Sequence, residues 1–143
     1  MTHETQYGRR DAANNYQPLT APQRETLDFL LSIETPGVEE LRRQAAFVLA
    51  KAWDCGCASI ALVVDQEHAP RSPITARPAI ETRSKERDDP ERIFDLLLWV
   101  EDGWLSGIEL VEYGFERHED APDVFPPPSD FEPPFTSSPA EGT

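Results

Sequence analysis

Between Ile93 and Gly114 the chain reads IFDLLLWVEDGWLSGIELVEYG, two apolar runs on either side of Asp102-Gly103. Asp-Gly in that setting predicts a β-hairpin, because both central residues of a type I′ turn need a positive φ. Upstream, Thr20-Ala21-Pro22-Gln23 has the form of a capping box, with Gln23 reaching back to Thr20 from the third helical position. Leu27, Leu30 and Leu31 follow at helical spacing, so a first helix is expected from Ala21 to Ser32. Thr35-Pro36 predicts a second, with Thr35 as cap, Pro36 in the first position and Glu39 and Glu40 at the positive end of the dipole. Helical spacing persists to Trp53, so one long helix is an alternative. Phe47-Val48-Leu49, however, opens a β-favouring run. The helix is therefore ended at Ala46, and a hairpin of residues 47–54 with 58–65 follows. In residues 74–83, Pro78 lacks an N–H and limits any strand to an edge or to two short pieces.

These elements make an α+β fold: two N-terminal helices packed on a mostly antiparallel sheet of four to five strands, with hairpins 47–65 and 93–113. Residues 1–18 are expected as a disordered arm, 19–116 as a single domain, and 117–143 as an acidic, Pro-rich, partly disordered tail.

A two-residue loop pairs Glu101 with Trp104, Val100 with Leu105, Leu98 with Gly107 and Leu96 with Glu109. One face of the hairpin then carries Phe94, Leu96, Leu98, Val100, Leu105, Val111 and Tyr113, with Glu109 among them. The other carries Ile93, Leu97, Trp99, Trp104, Ile108 and Leu110. Two apolar faces imply a cover on each side. The helices supply one; the tail, with Phe125, Phe131 and Phe135, or a partner protein supplies the other. Glu109 is costly on a buried face unless it is paired, and Lys51 is a candidate partner. The alternative is a β-bulge at Ser106-Gly107, which moves Glu109 to the opposite face.

Charge narrows the partners. The 143 residues hold 13 Lys and Arg against 27 Asp and Glu, a formal net charge of −14. From Glu109 onward nine acidic residues stand against Arg117 alone. Phosphate backbones are repelled by such a surface, so nucleic acid is not expected, whereas a basic protein partner is attracted. The charge also simply aids solubility. No apolar run has the length of a membrane span and the N-terminal residues lack the apolar core of a signal peptide, so no membrane association and a cytoplasmic location are expected.

The candidate chemistry is sparse. Cys55 and Cys57, the two cysteines, flank Gly56. They are half of a tetrahedral zinc site at most, or a small-ring disulfide, and free thiols at a turn are the simplest expectation. His3, His68 and His118 lie far apart and are read as solvated. Asp88-Asp89 and Glu101-Asp102 are adjacent carboxylates on loops, also read as solvated. No phosphate loop, zinc-binding helix or nucleophile elbow occurs, so no enzyme, cofactor, metal or catalytic residue is expected. Oligomeric state is left open. The positions singled out for interaction are Trp99, Asp102, Trp104, Glu109, Cys55 and Cys57.

Asp54-Cys55-Gly56-Cys57, followed by an alternating strand, and residues 98–109 (LWVEDGWLSGIE) resemble two elements of a family of small uncharacterised bacterial proteins frequent in actinobacteria. The second element is similar to that family's Asp-Gly-x-Leu-Ser-x-Leu-Glu strand pair. The likeness runs from Leu19 to Pro128, including the helix pair and Val124-Phe125-Pro126. Proteins similar to this family occur beside toxin genes, which implies a non-catalytic, immunity-like or accessory binding role. The alternative is a metal- or thiol-dependent activity at Cys55 and Cys57. Some relatives carry a further cysteine just before the Cys-Gly-Cys element, where this chain has Trp53, a departure that counts against the alternative.

Overall fold

The structure is a computed structural model, and it describes residues 15–54, 57–85, 93–113 and 122–136. Expectations for residues 1–14 of the N-terminal arm, Cys55, Asp88-Asp89, His3, His118 and residues 117–121 and 137–143 of the acidic tail fall outside these residues. Two helices, α1 (Ala21–Leu30) and α2 (Val38–Gln44), precede five strands: β1 (Val48–Ala52), β2 (Ile60–Val64), β3 (Ile80–Arg83), β4 (Ile93–Glu101) and β5 (Trp104–Tyr113). The strands form one antiparallel sheet in the order β1-β2-β5-β4-β3. Among the described residues no helix is long and apolar enough to cross a membrane.

The capping box forms: the Gln23 amide N–H donates to the Thr20 hydroxyl, and the Gln23 side chain accepts from the Thr20 N–H. The helix ends earlier than expected, at Leu30, and Arg42 closes its exit by donating to the Leu31 and Ile33 carbonyls at 2.8 and 2.9 Å. The start of α2 corrects the Thr35-Pro36 reading. Its N-cap is Gly37, at φ +94°, so the helix begins at Val38. A Cβ on Gly37 would lie 2.6 Å from Ile74 Cγ1, so the close approach of the 70–79 loop also demands glycine here. The helix gives way at Ala45–Phe47 to a turn of 3₁₀ helix, and β1 follows, which excludes the single long helix. Of residues 74–83 only Ile80–Arg83 is strand, and it is the sheet edge.

The hairpin turn has the expected geometry, with Asp102 at φ +54° and Gly103 at +87°. Its first two pairs, Glu101 with Trp104 and Val100 with Leu105, are those predicted. Beyond them the register shifts: Trp99, not Leu98, faces Gly107, and Ser106 is left as the extra residue of a bulge. Every later side chain of β5 therefore changes face. Ile108 and Leu110 join Leu96 and Leu98, while Glu109, Val111 and Tyr113 join Leu97 and Trp99. The face assignment made from an unbroken ladder is overturned for these five residues.

One sheet face then supplies the core. Ile60, Leu62, Val64, Ile80, Phe94, Leu96, Leu98, Val100, Leu105, Ile108 and Leu110 are buried in one cluster with Leu27, Leu30, Val38 and Leu41 of the helices. Phe125 and Phe131 are buried in the same cluster, whereas Phe135 is half exposed.

Gln44, fully buried, joins α2 to the hairpin turn. Its amide nitrogen donates to the Pro70 and Gly103 carbonyls and its oxygen accepts from the Leu105 N–H, each at 2.8 Å. Replacing Gln44 with leucine keeps the volume but strands the Leu105 N–H in the core. Urea denaturation of Gln44→Leu should show a loss of about 3 kcal/mol, the scale expected for orphaned buried polar groups. Gly103→Ala should cost about 2 kcal/mol or more, since a Cβ would lie 2.4 Å from the Ser72 carbonyl oxygen at a positive φ. An unchanged midpoint in either variant would contradict the clamp.

Candidate functional site

The sheet face turned away from the core is the best-organised surface. Leu49, Ala61, Val63, Leu97, Trp99 and Val111 lie on it, and none of its side chains belongs to the buried cluster. Its aromatic residues are held by carboxylates. The Trp99 indole N–H donates to Glu109 Oε1 at 3.0 Å, which the bulge permits by moving Glu109 across to Trp99's face. Glu109 is thus only partly buried, and its partner is not Lys51, whose ammonium lies 6.0 Å from the Tyr16 ring centroid. Trp99 stands opposite Gly107, where a Cβ would meet the Ile60 carbonyl oxygen at 3.1 Å.

A second cluster occupies the other end of this face. The Tyr113 hydroxyl donates to Asp95 Oδ2 at 3.0 Å, and Arg83 forms a two-pronged pair with the same carboxylate, at 2.8 and 3.2 Å. The Arg83 guanidinium also lies 5.8 Å from the Tyr113 ring centroid. Asp95 raises the guanidinium pKa through its hydrogen bonds and its charge. The Tyr113 phenol is raised as well, first by its hydrogen bond to Asp95, then by burial and by the Asp95 charge.

The other singled-out positions are elsewhere. Trp104 is half-buried and packs against the core. Asp102 sits exposed in the hairpin turn, where its carbonyl accepts from Arg71 Nε at 2.7 Å. Cys57 is disulfide-bonded, which corrects the free-thiol expectation for it. A small polar dyad went unforeseen: His68 Nδ1 lies 2.7 Å from Asp65 Oδ2, and the imidazole stacks on Phe47 at 5.6 Å between centroids. The sequence signal for it was Asp65 three residues before His68, the spacing of one turn. Among the described residues no group of three or more His, Cys, Asp or Glu side chains is placed to hold a metal ion.

Both edges of the sheet are occupied at the backbone level. Gln17 exchanges two 2.8 Å hydrogen bonds with Ala50 on β1. On β3, Phe135 exchanges two with Glu81 at 2.9 Å, and Glu132 donates to the Arg83 carbonyl. Strand addition along these stretches is blocked, which leaves the face rather than the edge as the accessible surface.

The Tyr113 cluster makes a titration prediction. Because the neutral phenol is favoured in the fold, Tyr113 should ionise above the ordinary tyrosine value of about 10. Its contribution to stability is intact below that unfolded value and is lost as pH rises through the higher folded one. Ultraviolet difference titration should show a late-titrating component from Tyr113, and Asp95→Asn should bring that component back toward the ordinary value. A Tyr113 that titrates identically in both proteins would contradict the assignment.

In comparisons with known proteins, no family model, curated protein or solved structure matches the chain.

Proposed function

We propose that this chain is a non-catalytic protein-binding module, immunity-like or accessory, that docks a basic protein partner on the open face of its sheet. The observation that carries the reading is the combination on that face. It contributes nothing to the buried core, yet its Trp, Tyr and Arg side chains are fixed by Glu109 and Asp95. Trp, Tyr and Arg are the residue types that concentrate binding energy in protein interfaces, and side chains already ordered lose less entropy on docking. The net charge of −14 favours a basic partner and raises its rate of encounter. The resemblance to the actinobacterial family supplies the immunity-like part of the proposal, and a cytoplasmic setting goes with it.

The test is capture of partners from the source cell on immobilised protein at low and at high salt. A basic protein should be retained at low salt, released at high salt, and lost from Trp99→Ala and Glu109→Lys. Retention that both variants leave unchanged would overturn the face as the site, and no retained protein at either salt would count against a partner.

One observation favours a second reading, a thiol-dependent activity: Cys57 is disulfide-bonded. Stable disulfides are rare in a reducing cytosol except in catalytic or redox-sensing roles. In such a reaction a partner dithiol gives two electrons and two protons to the disulfide and becomes oxidised itself. Incubation with a reduced thioredoxin-like protein, followed by thiol counting, should then show two new thiols that close again on reoxidation. A disulfide inert to that donor would end this reading.

A further inference from the structure

A second surface lies at the hairpin turn, away from the cysteines and independent of the docking proposal. The loop of residues 70–79 runs past the turn and leaves a cleft of about 430 Å³, lined among others by Arg71, Thr75, Arg77, Val100 and Asp102. A smaller hollow of about 230 Å³, walled by Pro36, Ala76 and Ala79, shares Ile74 and Thr75 with it. A charged mouth therefore adjoins an apolar recess.

The two arginines differ from others in the chain. Arg42 and Arg83 commit their guanidinium groups to carboxylates and carbonyls. Arg71 uses Nε alone, at 2.7 Å from the Asp102 carbonyl, and its two terminal nitrogens have no partner among the described residues. Its stem lies close against the turn: a Cβ on Gly103 would meet Arg71 Cγ at 2.4 Å. The fork is thus held at its base and open at its tip, the arrangement that suits two-pronged recognition of an oxyanion. Arg77 meets Glu101 at 3.7 Å, with both side chains 61% exposed, a pairing weak enough for a ligand anion to replace.

From these features we infer that the cleft binds a small organic carboxylate with an apolar body. The carboxylate sits between Arg71 and Arg77, and the body extends past Ile74 toward Pro36, Ala76 and Ala79. The protein's negative field and the Asp102 carboxylate on the wall disfavour a second charge on the ligand, which selects a carboxylate over a phosphate dianion. Apolar contact in the recess offsets that field.

The test uses the full chain, ¹⁵N-labelled, titrated with phenylacetate, with the neutral phenylacetamide and with inorganic phosphate. Phenylacetate should shift the amides of Ser72, Ile74 and Gly103 saturably, and phenylacetamide and phosphate should each bind at least tenfold more weakly. Arg71→Gln should weaken phenylacetate at least fivefold. Arg77→Gln, whose side chain is largely exposed, should do the same while leaving the rest of the spectrum in place. The inference fails if phenylacetate leaves these amides unmoved, if phenylacetamide binds as tightly, or if Arg77→Gln binds like the wild type. Phosphate binding that matches phenylacetate would overturn the apolar part and reduce the site to a general anion contact.

Discussion

A type I′ turn places two residues in left-handed backbone and points their carbonyls away from the ladder, so a turn lodged against other chain segments needs partners for those groups. In this protein Gly103 is buried, and its carbonyl accepts from the Gln44 amide and from the Ser72 N–H at 2.8 and 2.9 Å. Gln44 takes the Leu105 N–H as well, and Ser72 reaches back through its hydroxyl to the Gly37 carbonyl at the head of α2. Helix, loop and hairpin thus converge on one glycine. Among the described residues Gly37 and Gly103 are the two glycines with positive φ, and each faces the 70–79 loop too closely for a side chain. The loop's path, and with it the arginine-lined cleft, follows from that packing.

The bulge at Ser106 has the larger consequence for the surface. In an unbroken ladder Glu109 would face Leu96 in the core, where an unpaired carboxylate is costly. One extra residue exchanges it for Leu110, completes the buried face with Ile108 and Leu110, and brings Glu109 to the Trp99 indole. A single irregularity therefore takes Glu109 off the core face and fixes the aromatic anchor, while it sets Glu112 opposite Phe94 near the strand end, with its Oε2 buried and without a hydrogen-bond partner among the described residues. The closeness of Ile60's carbonyl, 3.1 Å from a Cβ built on Gly107, shows how tightly β2 packs at the same place.

Much of this was legible in the sequence, and for identifiable reasons. Capping boxes and Asp-Gly turns are local: the side chains that specify them lie within three residues of the backbone they serve. Thr20, Gln23, Asp102 and Gly103 accordingly stand as read. The end of α2 was legible because β-branched and aromatic residues gather after Ala46. The start of α2 was not, since Thr35-Pro36 is a sound local signal overridden by a distant contact with Ile74. The face of each β5 side chain was open to two readings, because Gly107 marks a bulge without dictating it. Gln44 and the Arg83–Asp95–Tyr113 cluster were invisible for the same cause: their partners lie 61, 12 and 18 residues apart in the chain.

The way the sheet is closed bears on what its open face can do. Backbone groups at the edges are the stickiest part of a sheet and the least selective, since any extended chain satisfies them. Here short flanking segments occupy β1 through Gln17 and β3 through Phe135, with Phe131 bridging Ser84 just past the end of β3. Association is left to side chains, where selectivity resides. Trp99 and Tyr113 each present an aromatic body with its polar atom already bound to a carboxylate, so a partner meets ring surface without having to satisfy a buried N–H or O–H. Of the two carboxylates, Asp95 is already paired with Arg83, whose guanidinium also lies over the Tyr113 ring, so the uncompensated negative charge is that of Glu109 beside Trp99. In the docking proposed above, a cationic side chain arriving at Trp99 gains both the ring face and the acid, whereas an acidic one gains neither, so the sign of a partner's charge is discriminated at Trp99 rather than at Tyr113.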